Sequence, residues 1–197
     1  MTEKEKMLCG MLYNAYNDKQ LVGERLKCKD ECHRFNALLP SQTVQGKKII
    51  RALLGKTGKS FCIVAPFYAD YGYNIELGEN FFANHNCVIL DCAKVTFGDN
   101  VFVAPDCGFY TAGHPIDSER RNSGLEYALP ITVGNNVWFG GGVRVCPGVK
   151  IGNDVVIGAG SVVTKDIPDN VVAVGNPCRV LRDITEADKI RTYHRDA

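Results

Sequence analysis

The sequence lacks both the charge excess and the long apolar segments that would point to a nucleic-acid or membrane partner. Its 23 Lys and Arg residues nearly balance 22 Asp and Glu residues, which gives a formal net charge of +1 at pH 7. This balance argues against binding to bulk nucleic acid or to a strongly anionic membrane surface. The longest uncharged run, residues 127–143, contains Pro130 and four glycines, so it is poor material for a transmembrane helix.

Signs of secretion and of disulfide bonds are also missing. The first seven residues, MTEKEKM, are charged and no apolar segment follows them, so we expect no secretory signal. The nine cysteines are an odd number, and Cys87, Cys107 and Cys146 stand where the surrounding pattern favours a small apolar residue. We therefore expect a protein of the reducing cytoplasm.

A period of six residues dominates the second half of the chain. Neither an α-helix nor a simple strand produces this spacing. It is typical of a hexapeptide-repeat parallel β-helix, in which each hexad forms one short strand and one turn, and three hexads form a triangular coil of 18 residues. The residues that begin the hexads, which we expect to point inward, are Val133, Phe139, Val145, Ile151, Ile157 and Val163.

The same period occurs earlier, in two blocks. Hexads begin at Leu77 and again at Phe97, and two residues near Val95 and Thr96 shift the register between the blocks. The period stops between residues 115 and 130, where the sequence is polar and charged, and then resumes. We interpret this stretch as a loop inserted into the solenoid, a common way for repeat proteins to build a binding face.

These patterns predict a mainly β protein: a left-handed parallel β-helix with an N-terminal helical cap and a short C-terminal helix. Residues 1–58 lack the period of six and show apolar residues at helical spacing, so they form the cap. Residues 59–182 form the β-helix with the inserted loop 115–130, and residues 183–197 form a tail with a short helix from Ile184 to Arg191. The cap covers strand edges that an open solenoid would expose.

Histidine is scarce, with four residues in the chain. His33 and His194 lie in charged segments and are expected to be solvated. His114, in the sequence TAGHPID, stands at the lip of the inserted loop, and a neutral imidazole is well suited to accept a proton near pH 7. Residues 28–33 contain a Cys-x3-Cys-His cluster, but no second pair follows at zinc spacing, so we expect no metal site.

The chain resembles the galactoside and maltose O-acetyltransferases, a family of hexapeptide-repeat acyltransferases. The resemblance rests on CGMLYNAYNDKQLVGERLKC in the cap, YGYNIELGENFFANHN, GHPID, and the run from PITVGNNVWFGG to GNPCRVLR. It implies acetyl-CoA as the cosubstrate, a small sugar acceptor and no required metal. It also implies a homotrimer whose active sites lie between subunits. The exposed groove beside the inserted loop needs a second wall, and a neighbouring subunit would supply it.

The resemblance implies roles for individual residues at the acceptor. The histidine of the family's GHP motif falls on His114, the expected general base, and an asparagine that orients substrates falls on Asn84. Asp70 is the expected partner of a sugar hydroxyl. At one position where galactoside enzymes have a sugar-contacting carboxylate, this chain has Cys92, which is adjacent to Asp91. At another such position the chain has Ala15, which is next to Asn14 and near Asp18. The lack of a carboxylate at both positions weakens the case for a galactoside acceptor.

The resemblance also implies a coenzyme site. Small residues leave room for a pantetheine arm, basic residues suit the phosphates, and an aromatic ring offers a wall. His85 matches no catalytic position and is interpreted as a wall residue. The expected coenzyme contacts are Trp138, Gly141, Ala159, Thr164, Lys165, Arg179 and Arg182.

The sequence therefore predicts an acetyl-CoA-dependent transfer of acetyl to a hydroxyl of a sugar such as maltose, glucose or a galactoside. It does not identify the acceptor. Acetylation of the amine of an amino-sugar is an alternative that uses the same groove. A zinc carbonic anhydrase of the same fold needs three histidine ligands, whereas only His85 and His114 fall in the solenoid. A non-catalytic or metal-binding β-helix protein is the remaining alternative.

Overall fold

A computed structural model describes residues 1–190 and shows a parallel β-helix with helices at its N-terminal end. Within these residues no helix is long and apolar enough to cross a membrane. The helices are α1 Glu3–Leu8, α2 Lys19–Asn36, α3 Thr43–Leu53, α4 Ser118–Asn122 and α5 Glu186–Lys189.

The strands are short, as a hexad pattern requires. They are β1 Tyr13–Asn14, β2 Phe61–Ile63, β3 Phe67–Ala69, β4 Ile75–Leu77, β5 Phe81–Ala83, β6 Cys87–Leu90, β7 Val95–Phe97, β8 Phe102–Val103, β9 Gly108–Tyr110, β10 Ala112–Gly113, β11 Leu125–Ala128, β12 Ile131–Val133, β13 Trp138–Phe139, β14 Arg144–Val145, β15 Lys150–Ile151, β16 Val156–Ile157, β17 Val162–Val163, β18 Val171–Gly175 and β19 Cys178–Asp183.

Three sheets form the faces of the prism. The seven-stranded face has the order β19-β18-β16-β13-β8-β5-β2, the five-stranded face β17-β14-β9-β6-β3 and the four-stranded face β15-β12-β7-β4. The chain passes from the seven-stranded to the five-stranded to the four-stranded face in each coil. We call the corner before the five-stranded face the entry corner, at Asn84, Gly141 and Ala159, and the corner after it the exit corner, at residues 70–74, 91–94 and 164–166.

The predicted inward positions are buried. The six residues that begin the later hexads are at most 3% exposed, and the last coils repeat every 18 residues, as in the pairing of Trp138 with Val156. Aromatic rings stack along the axis in edge contacts, with Phe109 lying 5.1 Å from Phe139 between ring centroids. The β-helix predicted from the hexads is confirmed.

The first coils contain more residues than the 18 predicted for a coil. The shift of the repeat register was predicted at Val95 and Thr96, and that location is wrong. Both residues lie within β7. The first coils repeat every 20 residues, as the pairing of Phe67 with Cys87 shows. The chain takes up the extra length in the exit corner, where residues 91–94 separate β6 from β7. Cys92 and Ala93 of this corner join a separate apolar cluster with Met7, Tyr13 and Leu21 of the cap, so the extra length does not disturb the packing of the prism.

Asparagines organise the turns at the corner before the seven-stranded face. Asn80, Asn100 and Asn136 have φ values of 57°, 56° and 57°, in the left-handed region that asparagine tolerates better than most residues. Their side chains form a ladder from coil to coil: Asn80 donates to Asn100 at 3.0 Å, and Asn100 to Asn136 at 3.0 Å. The ladder fixes the stacking of successive coils.

The cap covers the first coil of the β-helix. The side chain of Asp18 caps α2 by accepting a hydrogen bond from the Leu21 N–H at 2.8 Å. Buried Cys28 and Phe35 of α2 and Ile50 of α3 join the same apolar cluster as the solenoid core. The helical cap inferred from the sequence is therefore packed directly on the open end of the β-helix.

The inserted segment has regular structure that the sequence pattern did not predict. It contains α4 and β11, and β11 pairs antiparallel with β10 on one side and with β1 of the cap on the other. The segment is thereby attached to both the solenoid and the cap. At the far end β18 and β19 form an antiparallel hairpin, and α5 is shorter than the predicted helix. His194 lies outside the described residues.

Candidate active site

His114 follows β10 at the exit side of the five-stranded face. Its Nδ1 atom lies 3.1 Å from the main-chain oxygen of Leu125. Because a carbonyl oxygen can only accept, Nδ1 must carry the proton of this hydrogen bond. In the neutral ring Nε2 then has a free lone pair, and the side chain is exposed. The ring is thus oriented to accept a proton at Nε2.

The small sheet of β1, β11 and β10 places Glu126 between two other polar residues. Tyr13 is paired with Glu126 across β1 and β11, and Gly113 is paired with Tyr127 across β10 and β11. β10 ends at Gly113, and extending its register by one residue places His114 opposite Glu126. The Tyr13 hydroxyl donates to Glu126 Oε2 at 2.9 Å. Sequence reasoning missed Glu126, although the strand-like run LEYA within the polar stretch was a usable signal.

Asp91, predicted to bind substrate, is fully buried. Its Oδ1 accepts main-chain hydrogen bonds from Tyr71 at 2.8 Å and Asp70 at 3.1 Å, and Oδ2 accepts one from Asn74 at 3.3 Å. Burial raises the pKa of Asp91 to about 6, and the main-chain N–H groups act in the opposite direction. The carboxylate holds the exit corner together, and this burial gives it no open side toward a ligand.

Asp70 and Cys92, also predicted to bind substrate, lie together at the exit corner. The Cys92 thiol donates to Asp70 Oδ2 at 3.7 Å. Cys92 is 3% exposed, whereas Asp70 is half-buried. Burial raises the pKa of the Cys92 thiol, and the Asp70 charge adds to the effect. The thiol therefore stays protonated and serves as a donor to Asp70, which is the more accessible of the two.

Asn14, the fourth predicted acceptor residue, is occupied within the chain. Its Oδ1 accepts from the N–H groups of Tyr16 at 3.2 Å and Asn17 at 3.1 Å, and its Nδ2 donates to the Ser123 oxygen at 3.1 Å. It shapes the turn after β1 and fastens the inserted segment. The structure thus brings the predicted acceptor residues to the corner that carries His114, but uses Asn14 and Asp91 to build that corner.

Asn84 lies at the entry corner, between β5 and β6. Its Oδ1 accepts from the His85 main-chain N–H at 2.8 Å, and its Nδ2 donates no hydrogen bond within residues 1–190. The neighbouring His85 ring contacts the Ala65 oxygen through Nδ1 at 2.5 Å. Asn84 therefore offers an amide donor, while His85 is fastened to the preceding coil.

The predicted coenzyme residues fall into three groups. Gly141 and Ala159 stack above Asn84 at the entry corner. A Cβ at Gly141 would meet its nearest neighbour, the Pro105 oxygen, at 3.6 Å, an ordinary contact. Packing within the chain thus does not require glycine there. Trp138 lies close by on the outer side of β13 and is 54% exposed.

The remaining coenzyme residues lie elsewhere. Thr164 and Lys165 follow β17 and so belong to the exit corner, on the same side as His114. Arg179 and Arg182 lie on β19 at the far end of the seven-stranded face. Arg182 holds both oxygens of Asp188 at 2.7 Å, and this pairing holds the pKa of Asp188 below its usual range. The sequence did not predict that the expected coenzyme residues would lie at these separate places in the fold.

Two halves of the predicted site are therefore separated within one chain. His114 and Asp70 lie at the exit corner, and Asn84, Gly141 and Ala159 lie at the entry corner. The five-stranded face lies between the corners, and a strand such as the four-residue β6 spans roughly 10 Å at about 3.3 Å per residue. Among residues 1–190 no group of three or more His, Cys, Asp or Glu side chains is arranged to hold a metal ion.

Comparison with known proteins identifies the family. Residues 6–58 match the maltose acetyltransferase hexapeptide capping motif, and residues 130–165 match the bacterial transferase hexapeptide, six repeats. The galactoside O-acetyltransferase of Escherichia coli strain K12 is 44% identical over 196 residues, which cover 100% of this chain and 96% of that protein. The chain belongs to the maltose and galactoside O-acetyltransferase family. It is an acetyltransferase, as the motifs predicted.

Solved structures of relatives agree with this assignment. A maltose O-acetyltransferase from Clostridium difficile 630 superimposes with a TM-score of 0.92 at 55% identity, covering 94% of this chain and 99% of that chain. A galactoside acetyltransferase in complex with coenzyme A gives a TM-score of 0.94 at 43% identity, covering 100% and 97%. The complex is consistent with acetyl-CoA as the acetyl donor of the family, the cosubstrate predicted from the resemblance.

Proposed function

We propose that this protein transfers an acetyl group from acetyl-CoA to a hydroxyl of a small sugar, such as maltose, glucose or a galactoside, with His114 as the general base. The observation that carries the proposal is the hydrogen bond from His114 Nδ1 to the Leu125 oxygen. It fixes the tautomer that leaves Nε2 free to accept a proton.

The transfer is direct and balances without a covalent enzyme intermediate. As the sugar oxygen attacks the thioester carbonyl, His114 Nε2 takes the hydroxyl proton, and a C–O bond forms. The tetrahedral intermediate then collapses with loss of the C–S bond. The proton passes from His114 to the departing sulfur, so that the products are the acetyl ester and free coenzyme A.

Asn84 completes this site from a neighbouring chain. The separation of the two corners supports a homotrimer in which the exit corner of one subunit faces the entry corner of the next. The Nδ2 amide of Asn84 then donates to the thioester or the acceptor of the site that contains His114 of the neighbour. Gly141, Ala159 and Trp138 would line the pantetheine arm from the same subunit as Asn84.

The other coenzyme residues come from the remaining surfaces. Thr164 and Lys165 belong to the subunit that supplies His114, since they share its corner. The basic side chains of Lys165, Arg179 and Arg182 would meet phosphates of the coenzyme at the outer end of the groove. Phosphate must then compete with Asp188 for the guanidinium of Arg182.

On the acceptor side, Asp70 binds a sugar hydroxyl, supported by the partial exposure of this residue at the exit corner. Cys92 acts through its hydrogen bond to Asp70.

We place the protein in the cytoplasm. This proposal agrees with its nine free cysteines, because a reducing compartment keeps thiols free.

The experiment that tests this function is thiol release from acetyl-CoA in the presence of single sugars. Glucose, maltose, a methyl galactoside and glucosamine form the panel, and acetyl-CoA alone is the control. We expect release with at least one sugar that carries only hydroxyls, together with an ester product in mass spectrometry. Release with glucosamine alone, giving an amide, would instead establish the amine as the acceptor.

A further inference from the structure

Glu126 is the polar residue closest in register to the proposed base and has no role in the mechanism above. It lies on β11 opposite Tyr13 of β1, and it directly follows Leu125, whose main-chain oxygen lies 3.1 Å from His114 Nδ1. Side chains directly opposite each other in an antiparallel sheet lie on the same side. The hydrogen bond from Tyr13 to Glu126 shows which side this is. The carboxylate therefore stands on the same side of the small sheet as the Tyr13 side chain, one residue along β11 from the oxygen that orients His114.

The two carboxylate oxygens of Glu126 differ in their hydrogen bonds within residues 1–190. Oε2 accepts from Tyr13, whose pKa is raised far above its usual value by burial and by the neighbouring Cys92 and Glu126. The tyrosine therefore remains a donor at every physiological pH. Within the described part of the chain Oε1 accepts no hydrogen bond and Glu126 forms no salt bridge, although the charge of Arg25 is near enough to interact with it. The side chain is half-buried, so a ligand can reach it.

Apart from Asp70, which is half-buried, the predicted acceptor residues of this corner offer no accessible carboxylate. Ala15 and Cys92 carry no carboxylate, and Asp91 is fully buried and bonded to main-chain N–H groups. Cys92 lies between Tyr13 and Asp70, since it raises the pKa of the tyrosine and donates to Asp70 Oδ2. Glu126 and Asp70 are thus linked through Tyr13 and Cys92, one at each end of a small polar cluster.

We propose that Glu126 is an acceptor-binding residue that determines the sugar specificity of this chain. Its Oε1 accepts a hydrogen bond from a second hydroxyl of the sugar whose reacting hydroxyl faces His114. The inserted segment thereby supplies a second acceptor carboxylate, in addition to Asp70 of the solenoid corner. This inference rests on the proposed function, because it concerns the acceptor of that reaction.

The test compares Glu126→Gln with the wild-type protein on maltose and on a methyl galactoside. Glutamine keeps an oxygen that can accept from Tyr13, so the fold is preserved while the charge is lost. We expect the KM for the acceptor to rise about tenfold or more, since hydrogen bonds to charged groups are the stronger ones. The KM for acetyl-CoA should change little. Glu119→Gln, an exposed carboxylate of the same segment, is the matched control and should leave both constants unchanged.

Two further results would overturn the inference. An unchanged acceptor KM for Glu126→Gln in a wild-type enzyme that acetylates the sugar removes Glu126 from the acceptor site. A Tyr13→Phe variant that reproduces the full rise in acceptor KM, with an equal fall in melting temperature for both variants, assigns Glu126 a structural role. If the wild-type protein acetylates none of the sugars, the proposed function fails first and the inference fails with it.

Discussion

His114 and Asn84 lie at opposite edges of the same five-stranded face. Asn84 precedes β6 at the entry corner, and His114 follows β9 and β10 on the exit side. A base and an amide that act on one substrate must lie within hydrogen-bond reach of it. A single chain keeps them on different surfaces, so a site that uses both needs two chains.

Mixing two inactive variants tests this arrangement. His114→Ala and Asn84→Ala each damage every site of a homotrimer. In the proposed homotrimer, unfolding and refolding an equal mixture would give assemblies in which some interfaces combine the intact His114 of one chain with the intact Asn84 of the next. We expect about a quarter of the sites to regain wild-type activity, as random assembly of a cyclic oligomer predicts.

The control is each variant refolded alone, which should stay inactive. A mixture no more active than its components would show that one chain supplies both residues. Light scattering on the wild-type protein completes the test, because a fully active monomer contradicts a site between subunits.

Two neighbouring residues of β15 test the inward direction of the hexads. Ile151 is 3% exposed, whereas Lys150 is exposed. We expect Ile151→Ala to lower the free energy of unfolding by about 2–5 kcal/mol, through lost burial and a cavity in the prism. Lys150→Ala should change it by about 0.5 kcal/mol or less. Denaturant titration measures both, and equal losses would contradict the inward packing.

The hexads were predictable because one apolar residue in six is a physical requirement of a narrow prism. Val133 or Ile157 cannot be replaced by a polar residue without leaving it unpaired in the core. Residues at the corners are not subject to this requirement for an apolar side chain. Asp91 looked like an accessible carboxylate because sequence does not show that a corner will fold its N–H groups around it. Glu126 escaped notice because its importance comes from pairing with β1, more than 100 residues earlier in the chain.

Arg182 is predicted to bind the coenzyme without taking part in the chemical step. Arg182→Ala should raise the KM for acetyl-CoA while kcat at saturation stays nearly unchanged, the pattern of lost uniform binding. Asp188→Asn is the informative partner variant. It weakens the ion pair that competes with phosphate, so the KM for acetyl-CoA should fall or stay the same. A rise in KM in both variants would mean that the pair serves only to hold α5 against β19.

His114→Ala is expected to lower kcat by about 10²–10⁴-fold, the usual range for removal of a positioned general base. A sugar hydroxyl is a very weak acid, so its oxygen attacks slowly unless a base takes the proton. The side chain is exposed, and among residues 1–190 its one hydrogen bond joins Nδ1 to the Leu125 oxygen. Its removal should therefore leave the melting temperature and the affinity for acetyl-CoA close to those of the wild type.

His85→Ala is the matched comparison, since His85 is the other exposed solenoid histidine and is also bonded through Nδ1 to a main-chain oxygen. It stands beside Asn84 at the entry corner and has no proton to move in the proposed reaction. We expect its loss to cost less than about tenfold in kcat. Steady-state kinetics with a saturating sugar separate the two variants. If His85→Ala shows the large loss and His114→Ala the small one, the base lies at the entry corner and the assignment of His114 is wrong, although the fold is unaffected.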